Sequence, residues 1–200
     1  MVDYPDSLKR LINELARLPG VGQKSAERFA FFILYEDREA GKRIASAIQE
    51  ILSNISVCSR CNNIAESDLC WLCSDPKRKK EFLCVVEQPQ DIIAFEKSGA
   101  FNGKYFVLGG LISPLSGVSA AELPFGKLRR IVEEDGVKEV IVATNPTTEG
   151  DVTALEVKRA LEGLCVKVTR IAKGMPQGAA VQFASPFVLR DSFLRRIDVD

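Results

Sequence analysis

Four cysteines stand in two close pairs, Cys58-x-x-Cys61 and Cys70-x-x-Cys73, with eight residues between the pairs. Each Cys-x-x-Cys turn can aim two sulfurs at one ion, and the intervening loop brings the chain back to supply two more. Four thiolates complete a tetrahedral shell and leave no open position for water. The spacing therefore predicts one structural Zn²⁺ per chain, held by Cys58, Cys61, Cys70 and Cys73. Zinc binding of this kind is worth roughly 10–16 kcal/mol in peptides, enough to fold a short polar strip that has no core. Two redox pairs, or four unrelated thiols, form the competing reading. In a reducing compartment, clustered cysteines indicate metal before disulfide. Cys84 and Cys165 fall in apolar stretches and are read as small hydrophobes buried inside strands.

A second constellation could hold phosphate. Leu18-Pro19-Gly20-Val21-Gly22-Gln23-Lys24-Ser25-Ala26-Glu27-Arg28 joins two apolar helical runs through the strongest local breakers available. Gly20 and Gly22 let the backbone turn sharply, and the next helix starts with free N–H groups and a partial positive charge. Lys24 in its first turn and Arg28 one turn later add charge-assisted contacts. Such contacts position a protein on DNA without reading sequence. The segment is similar to the helix-hairpin-helix element of DNA repair proteins; an ordinary αα-corner is the plainer alternative. Residues 1–54 hold eight basic and eight acidic side chains, so a single copy should bind DNA weakly and need multivalency.

A third constellation is acidic. Glu87 closes one apolar strand and Asp91 follows a helical turn later, while Glu149-Gly150-Asp151 follows Thr144-Asn145-Pro146-Thr147-Thr148 after another strand. In open parallel sheets, ligands gather at the carboxyl ends of the strands, and four carboxylates converging there could hold Mg²⁺. A lone Glu after one strand with an acidic-x-acidic pair after another resembles the Toprim domain of topoisomerases, primases and some nucleases. The same acids could simply cap helices, with Asp151 starting the one that follows.

The elements that must position these groups are legible as periodicities. Leu8, Leu11, Ile12, Leu15 and Leu18 recur at helical steps, a second helix is expected over 26–34, and a third over 40–55 carries Ile44, Ile48, Ile51 and Leu52. Beyond residue 81, apolar strands over 82–86, 105–108 and 140–143, with a fourth near 166–171, alternate with helices over 91–98, 122–134 and 152–161. Buried strands alternating with helices predict a mostly parallel sheet covered on both faces. The stretch 109–121 reads as a long loop, and 179–200 ends in a short amphipathic piece. The division expected is a helical unit over 1–55, a cysteine unit over 56–80, an α/β unit over 81–176 and a terminal packing segment over 177–200.

Composition narrows the chemistry further. The 200 residues contain 27 basic and 27 acidic side chains and no histidine. That balance excludes binding nucleic acid by bulk charge, and the missing histidine excludes Ser-His-Asp hydrolysis and His-containing metal sites. The tyrosines are Tyr4, Tyr35 and Tyr105, none in the setting of a topoisomerase nucleophile. Gly-x-x-x-x-Gly-Lys-[Ser/Thr] is absent, so nothing points to ATP use. With no basic-then-apolar leader and no apolar run long enough for a bilayer, a cytoplasmic protein without membrane attachment is expected.

The order hairpin, cysteine quartet, acidic α/β unit resembles the RecR family from end to end. The resemblance rests on Leu18 to Ala26, the quartet through Cys73-Ser74-Asp75-Pro76, Leu108-Gly109-Gly110, Ile112-Ser113-Pro114-Leu115, Thr144 to Ala154 and Thr169-Arg170-Ile171-Ala172. It implies a non-catalytic mediator of recombinational repair that forms a tetrameric ring around DNA. Such proteins act with RecO and RecF to load RecA on single strands coated by single-strand-binding protein. Carried over by motif, Gly20, Gly22, Lys24 and Arg28 would meet DNA, the quartet would hold Zn²⁺, and Glu87, Asp91, Glu149 and Asp151 would form the acidic face near the RecO contact. Lys173 departs from the family pattern, standing where a His before Gly-x-Pro is usual, and residues 116–127 and 179–200 match only loosely. A Mg²⁺-dependent Toprim nuclease acting on DNA or structured RNA is the alternative.

Overall fold

Alternating apolar runs and breakers resolve, in the computed structural model, into eight helices and six strands among the described residues, 4–196. The chain divides into two compact units, with the boundary between Ile55 and Ser56.

In the first unit α1 (Asp6–Ala16), α2 (Gln23–Phe31) and α3 (Arg38–Asn54) follow one another. The α2 path widens into a five-residue π-helical turn over Phe32–Glu36 before Asp37 caps α3 by accepting from the Ala40 N–H at 2.8 Å. Its small core forms where Ile12 meets Ala26 and Ala30, with Leu8, Leu15 and Val21 around them. Alanines at positions 26 and 30 let α2 approach α1 closely; larger side chains there would hold the helices apart. By contrast, α3 buries none of its residues.

The second unit begins with a two-stranded antiparallel ribbon, β1 (Ser56–Val57) and β2 (Ile64–Ala65), and a single turn of helix, α4 (Trp71–Ser74). There follow β3 (Lys79–Val86), α5 (Pro89–Ser98), β4 (Gly103–Val107), α6 (Phe125–Asp135), β5 (Glu139–Val142), α7 (Thr148–Ala160) and β6 (Lys167–Arg170), then α8 (Pro186–Leu194). The four strands β3 to β6 make one parallel sheet in the order β4-β3-β5-β6, as the βα alternation predicts. Leu83 pairs with Val140 and Val85 with Val142 in register, so the two central strands present one continuous apolar surface. One face packs on Leu128, Ile131, Val132, Val157 and Leu161; the other carries Cys84, Val86, Tyr105 and Val107 against Ile92 and the cysteine module.

Two expectations are corrected here. Cys84 is buried in β3, but Cys165 is exposed and lies in the bend before β6. An apolar neighbourhood in sequence does not place a residue inside the sheet when the strand begins two positions later. The helix expected from 122 begins at Phe125, because Pro124 stands at its start and 120–122 forms a separate 3₁₀ turn. Of the expected terminal segments, residues 1–3 and 197–200 lie outside the described residues. No helix among the described residues is long and apolar enough to cross a membrane.

Candidate functional site

The cysteine module is built from turns rather than from a core. The Cys58 carbonyl accepts from the Asn62 N–H at 3.2 Å, and Cys58 N–H donates to the Asn63 carbonyl at 2.7 Å, which bends the first pair into a tight knuckle. Asn62 takes the left-handed conformation that this bend demands, with φ 61°. The second pair brackets α4, where Ser74 N–H donates to the Cys70 carbonyl at 3.0 Å. The result brings Cys58, Cys61, Cys70 and Cys73 together, with all four sulfurs within 4.8 Å of one another. Sulfurs about 2.3 Å from a tetrahedral centre should stand about 3.8 Å apart. Cys61 Sγ lies 3.5 Å from Cys70 Sγ. The Cys70 N–H also donates to Cys58 Sγ at 3.3 Å, a contact that favours sulfur carrying negative charge. Contact with Cys70 drives the Cys61 thiol upward and contact with Cys61 drives Cys70 downward, so four thiolates require a cation among them. The donor set and spacing fit Zn²⁺ as a closed, structural ion. Cys84 stands apart, its thiol pushed up to about 12 by burial alone, and is inert packing.

The module is tied to the sheet and to the helices α5 and α6 by cations that the sequence does not single out. Lys104, in β4 and buried, donates through Nζ to the carbonyls of Leu72, Cys73 and Asp75 at 2.8, 3.1 and 2.9 Å, satisfying the carbonyl end of α4. Arg78 pairs with Glu96 and sits against the rings of Trp71 and Tyr105. Arg60 pairs with Asp135, and Lys127 Nζ donates to Asn62 Oδ1 at 2.5 Å. The only sequence signal for any of them is a Lys at the start of an otherwise apolar strand.

The hairpin has the geometry its residues require. Gly20 holds φ +79°, a conformation costly for other residues, and Gly22 is extended as the residue before α2. No side chain caps this helix start and no acid occupies its first turn, so its field is uncompensated. Lys24 and Arg28 are exposed, two residues out of step with the buried Ala26 and Ala30, and hence on the opposite face of α2. Glu27, the acid carried by this helix, accepts from the Tyr4 hydroxyl.

The acidic residues stand at the carboxyl end of the sheet, yet most of them are occupied. Asp91 accepts from the Gln88 N–H at 2.8 Å and so closes the first turn of α5. Glu87 accepts from the Asn145 amide at 3.1 Å. Glu149 lies half-buried in the first turn of α7. The cap of α7 is Thr147, whose Oγ1 accepts from the Gly150 N–H at 3.1 Å, not Asp151. Asp151 is gripped by Arg170, at the end of β6, and by Lys173, whose Nζ lies 2.7 and 2.9 Å from its two oxygens. The Lys173 hydrogen bond, aided by Arg170, holds the Asp151 carboxyl below the usual carboxylate range. Among the described residues the cysteines are the one group of three or more metal-capable side chains within 4.8 Å, so the four acids do not converge as a Mg²⁺ cage would require. Gly150 is a missed requirement: a Cβ there would fall 2.0 Å from the Asn145 carbonyl oxygen.

Three family descriptions match successive parts of the chain: the RecR helix-hairpin-helix over 8–52, the RecR four-cysteine zinc finger domain over 55–75, and the Toprim domain over 81–172. Recombination protein RecR of Pelotomaculum thermopropionicum is 43% identical over 186 residues, covering 93% of both chains. The chain belongs to the RecR family. RecR of Acidothermus cellulolyticus is 40% identical over 98% of this chain and 99% of its own, and RecR of Roseiflexus castenholzii 42% identical over 92% and 90%. The likeness thus runs through all three parts in one order, and the cysteine cluster is the four-cysteine zinc finger of the RecR family.

Proposed function

We propose that this RecR-family chain is a non-catalytic DNA clamp of recombinational repair, acting with RecO and RecF to promote loading of RecA on gapped DNA coated by single-strand-binding protein. The observation that carries the DNA contact is the open start of α2, with Gly20 and Gly22 before it and Lys24 and Arg28 exposed along it. Anions favour such a helix start, and these contacts carry no base preference. Bound Zn²⁺ supplies folding energy to the cysteine module and no reactive position.

Exposed apolar surface supports the clamp. In the first unit a groove of about 750 Å³, bordered by Leu8, Leu11, Leu15, Ile33, Ile44 and Ile48, lies open, and Leu52 on α3 is 79% exposed. In the second unit Phe183 and Phe187 are 83% and 80% exposed, and Phe193 and Leu194 are exposed as well. Apolar patches of this kind mark protein interfaces. Two distinct self-complementary contacts on one chain close into a tetramer, and four weak DNA contacts then act together. In this reading 1–55 binds DNA, 56–80 is the zinc staple, 81–176 the Toprim body with Glu87, Asp91, Glu149 and Asp151 facing RecO, and 177–200 a subunit contact. The occupied state of Asp151 supports an adaptor over a Mg²⁺-dependent nuclease.

A Lys24→Ala/Arg28→Ala variant tests the assignment. Expected are loss of binding to both single-stranded and duplex DNA with zinc content and folding retained, and no cleavage of gapped substrate by the parent protein in Mg²⁺ or Mn²⁺. Unchanged DNA affinity in the variant would remove the DNA face.

A further inference from the structure

The Toprim likeness implies a divalent cation at Glu87, Asp91, Glu149 and Asp151, and the side chains present do not fit one. Mg²⁺ requires oxygen ligands in near-octahedral array, with carboxylates free to face it. Here both oxygens of Asp151 already accept from Lys173 Nζ, and Arg170 donates to one of them as well. Those cations are held in place: the Lys173 and Arg170 side chains are 17% and 21% exposed, and Arg170 Nη2 also donates to the Asn145 carbonyl at 3.0 Å. The backbone on either side leaves little freedom, since Arg170 ends β6 and Asp151 lies in the first turn of α7. Asp91 is spent on the Gln88 N–H and Glu87 on the Asn145 amide.

We infer that Lys173, seconded by Arg170, supplies from within the chain the positive charge that a divalent cation would supply, so that this end of the sheet works without metal. Asp151 is itself half-exposed, and a metal ion approaching it would be repelled by the two fixed cations already bonded to its oxygens. Asp151 is then a positioning residue that ties the exit of β6 to the start of α7, and both of its cations, Arg170 and Lys173, line a pocket of about 250 Å³ with Thr144 and Pro146. Glu87, Asp91 and Glu149, all half-buried, have no Lys or Arg against them; Asp91 is spent on its own helix turn, so the charge of Glu87 and Glu149 is what a protein partner would read.

Mn²⁺ serves as the probe, because the paramagnetic resonance signal of the free ion reports binding directly. The zinc-loaded full-length chain is titrated at constant ionic strength without DNA, so the outcome is independent of the DNA assignment. Expected is a wild-type titration that superimposes on that of Asp151→Asn, with no ion held at this site. Lys173→Met should take up Mn²⁺ at least ~5-fold more tightly than the background uptake shared by the parent and Asp151→Asn, a modest step for removing one adjacent charge, and adding Asp151→Asn should cancel that gain. Zinc content and melting temperature confirm folding, and Lys173→Gln serves if the methionine variant does not fold. One Mn²⁺ per chain bound by the wild type and lost in Asp151→Asn would overturn the inference. A folded Lys173 variant indistinguishable from the parent would overturn the role given to the lysine.

Discussion

Gly150 is the residue on which the acidic end of the sheet most directly depends, and it gives a prediction with a worked sign. An added Cβ would lie 2.0 Å from the Asn145 carbonyl oxygen and 3.2 Å from Arg170 Nη2. The first of these neighbours is backbone and cannot swing aside, so the loop after β5 must move. Overpacking costs about 1–3 kcal/mol, and so close an approach to backbone belongs in the upper half of that range. Replacing a helical Gly by Ala returns about 1 kcal/mol at most. Gly150→Ala should therefore lose about 1–3 kcal/mol, which for a chain of this size lowers Tm by about 2–12 °C. Gly126 is the matched control, because it too is helical, in α6, but a Cβ there meets nothing within 4 Å. Gly126→Ala should be neutral or stabilising by up to about 1 kcal/mol. Scanning calorimetry of the zinc-loaded proteins compares the two in one buffer. Gly150→Ala melting at or above the parent would refute the close approach and the loop geometry built on it.

Chelation at neutral pH should unfold the cysteine module, and Cys58→Ser should lower zinc content from one per chain toward none, with loss of soluble assembled protein; elemental analysis and gel filtration read both. Stability conferred by the Asp151 pairs should follow the carboxylate: because its pKa is lowered when folded, the contribution is present above the ordinary value of about 4 and is lost as pH falls through the folded value. The Tm gap between parent and Asp151→Asn should accordingly be present at pH ~7 and close on acidification below about pH 4, whereas a gap constant with pH would contradict the pairing. Ile48→Glu, placing charge on the exposed apolar face of α3, should reduce the assembly seen by light scattering without lowering helix content.

Local chemistry is readable in the sequence wherever it depends on near neighbours. The Cys-x-x-Cys knuckles, the Gly20 turn and the buried runs of β3, β4 and β5 all follow from spacing, and each stands where its pattern puts it. Groups that meet only through the sheet are not. Arg170 and Lys173 reach Asp151 because β6 lies beside β5, an adjacency that no periodicity encodes. The four acids share a sheet end, as their positions after strands suggest, but Asp91 closes its own helix turn, and strand-end position alone cannot distinguish a cap from a ligand. The apolar residues of α3 are legible in the sequence but their exposure is not, since amphipathicity shows that a face will be covered without saying by which chain. Lys104 and Arg78 illustrate a further limit: buried cations answer to carbonyls and rings far away in sequence.

The salt dependence of DNA binding tests the central claim most directly. Each phosphate contact contributes about 0.9 to the slope of log K against log salt, so losing Lys24 and Arg28 should flatten the slope by about 1.8 for every engaged chain. Between about 50 and 200 mM salt that is about a twelvefold difference per chain, readable by fluorescence anisotropy on labelled oligonucleotides of unrelated sequence. A parent slope that drops by this amount in Lys24→Ala/Arg28→Ala, equally for every sequence, is the predicted result. Parallel slopes for the two proteins would contradict the phosphate-binding hairpin and the clamp with it.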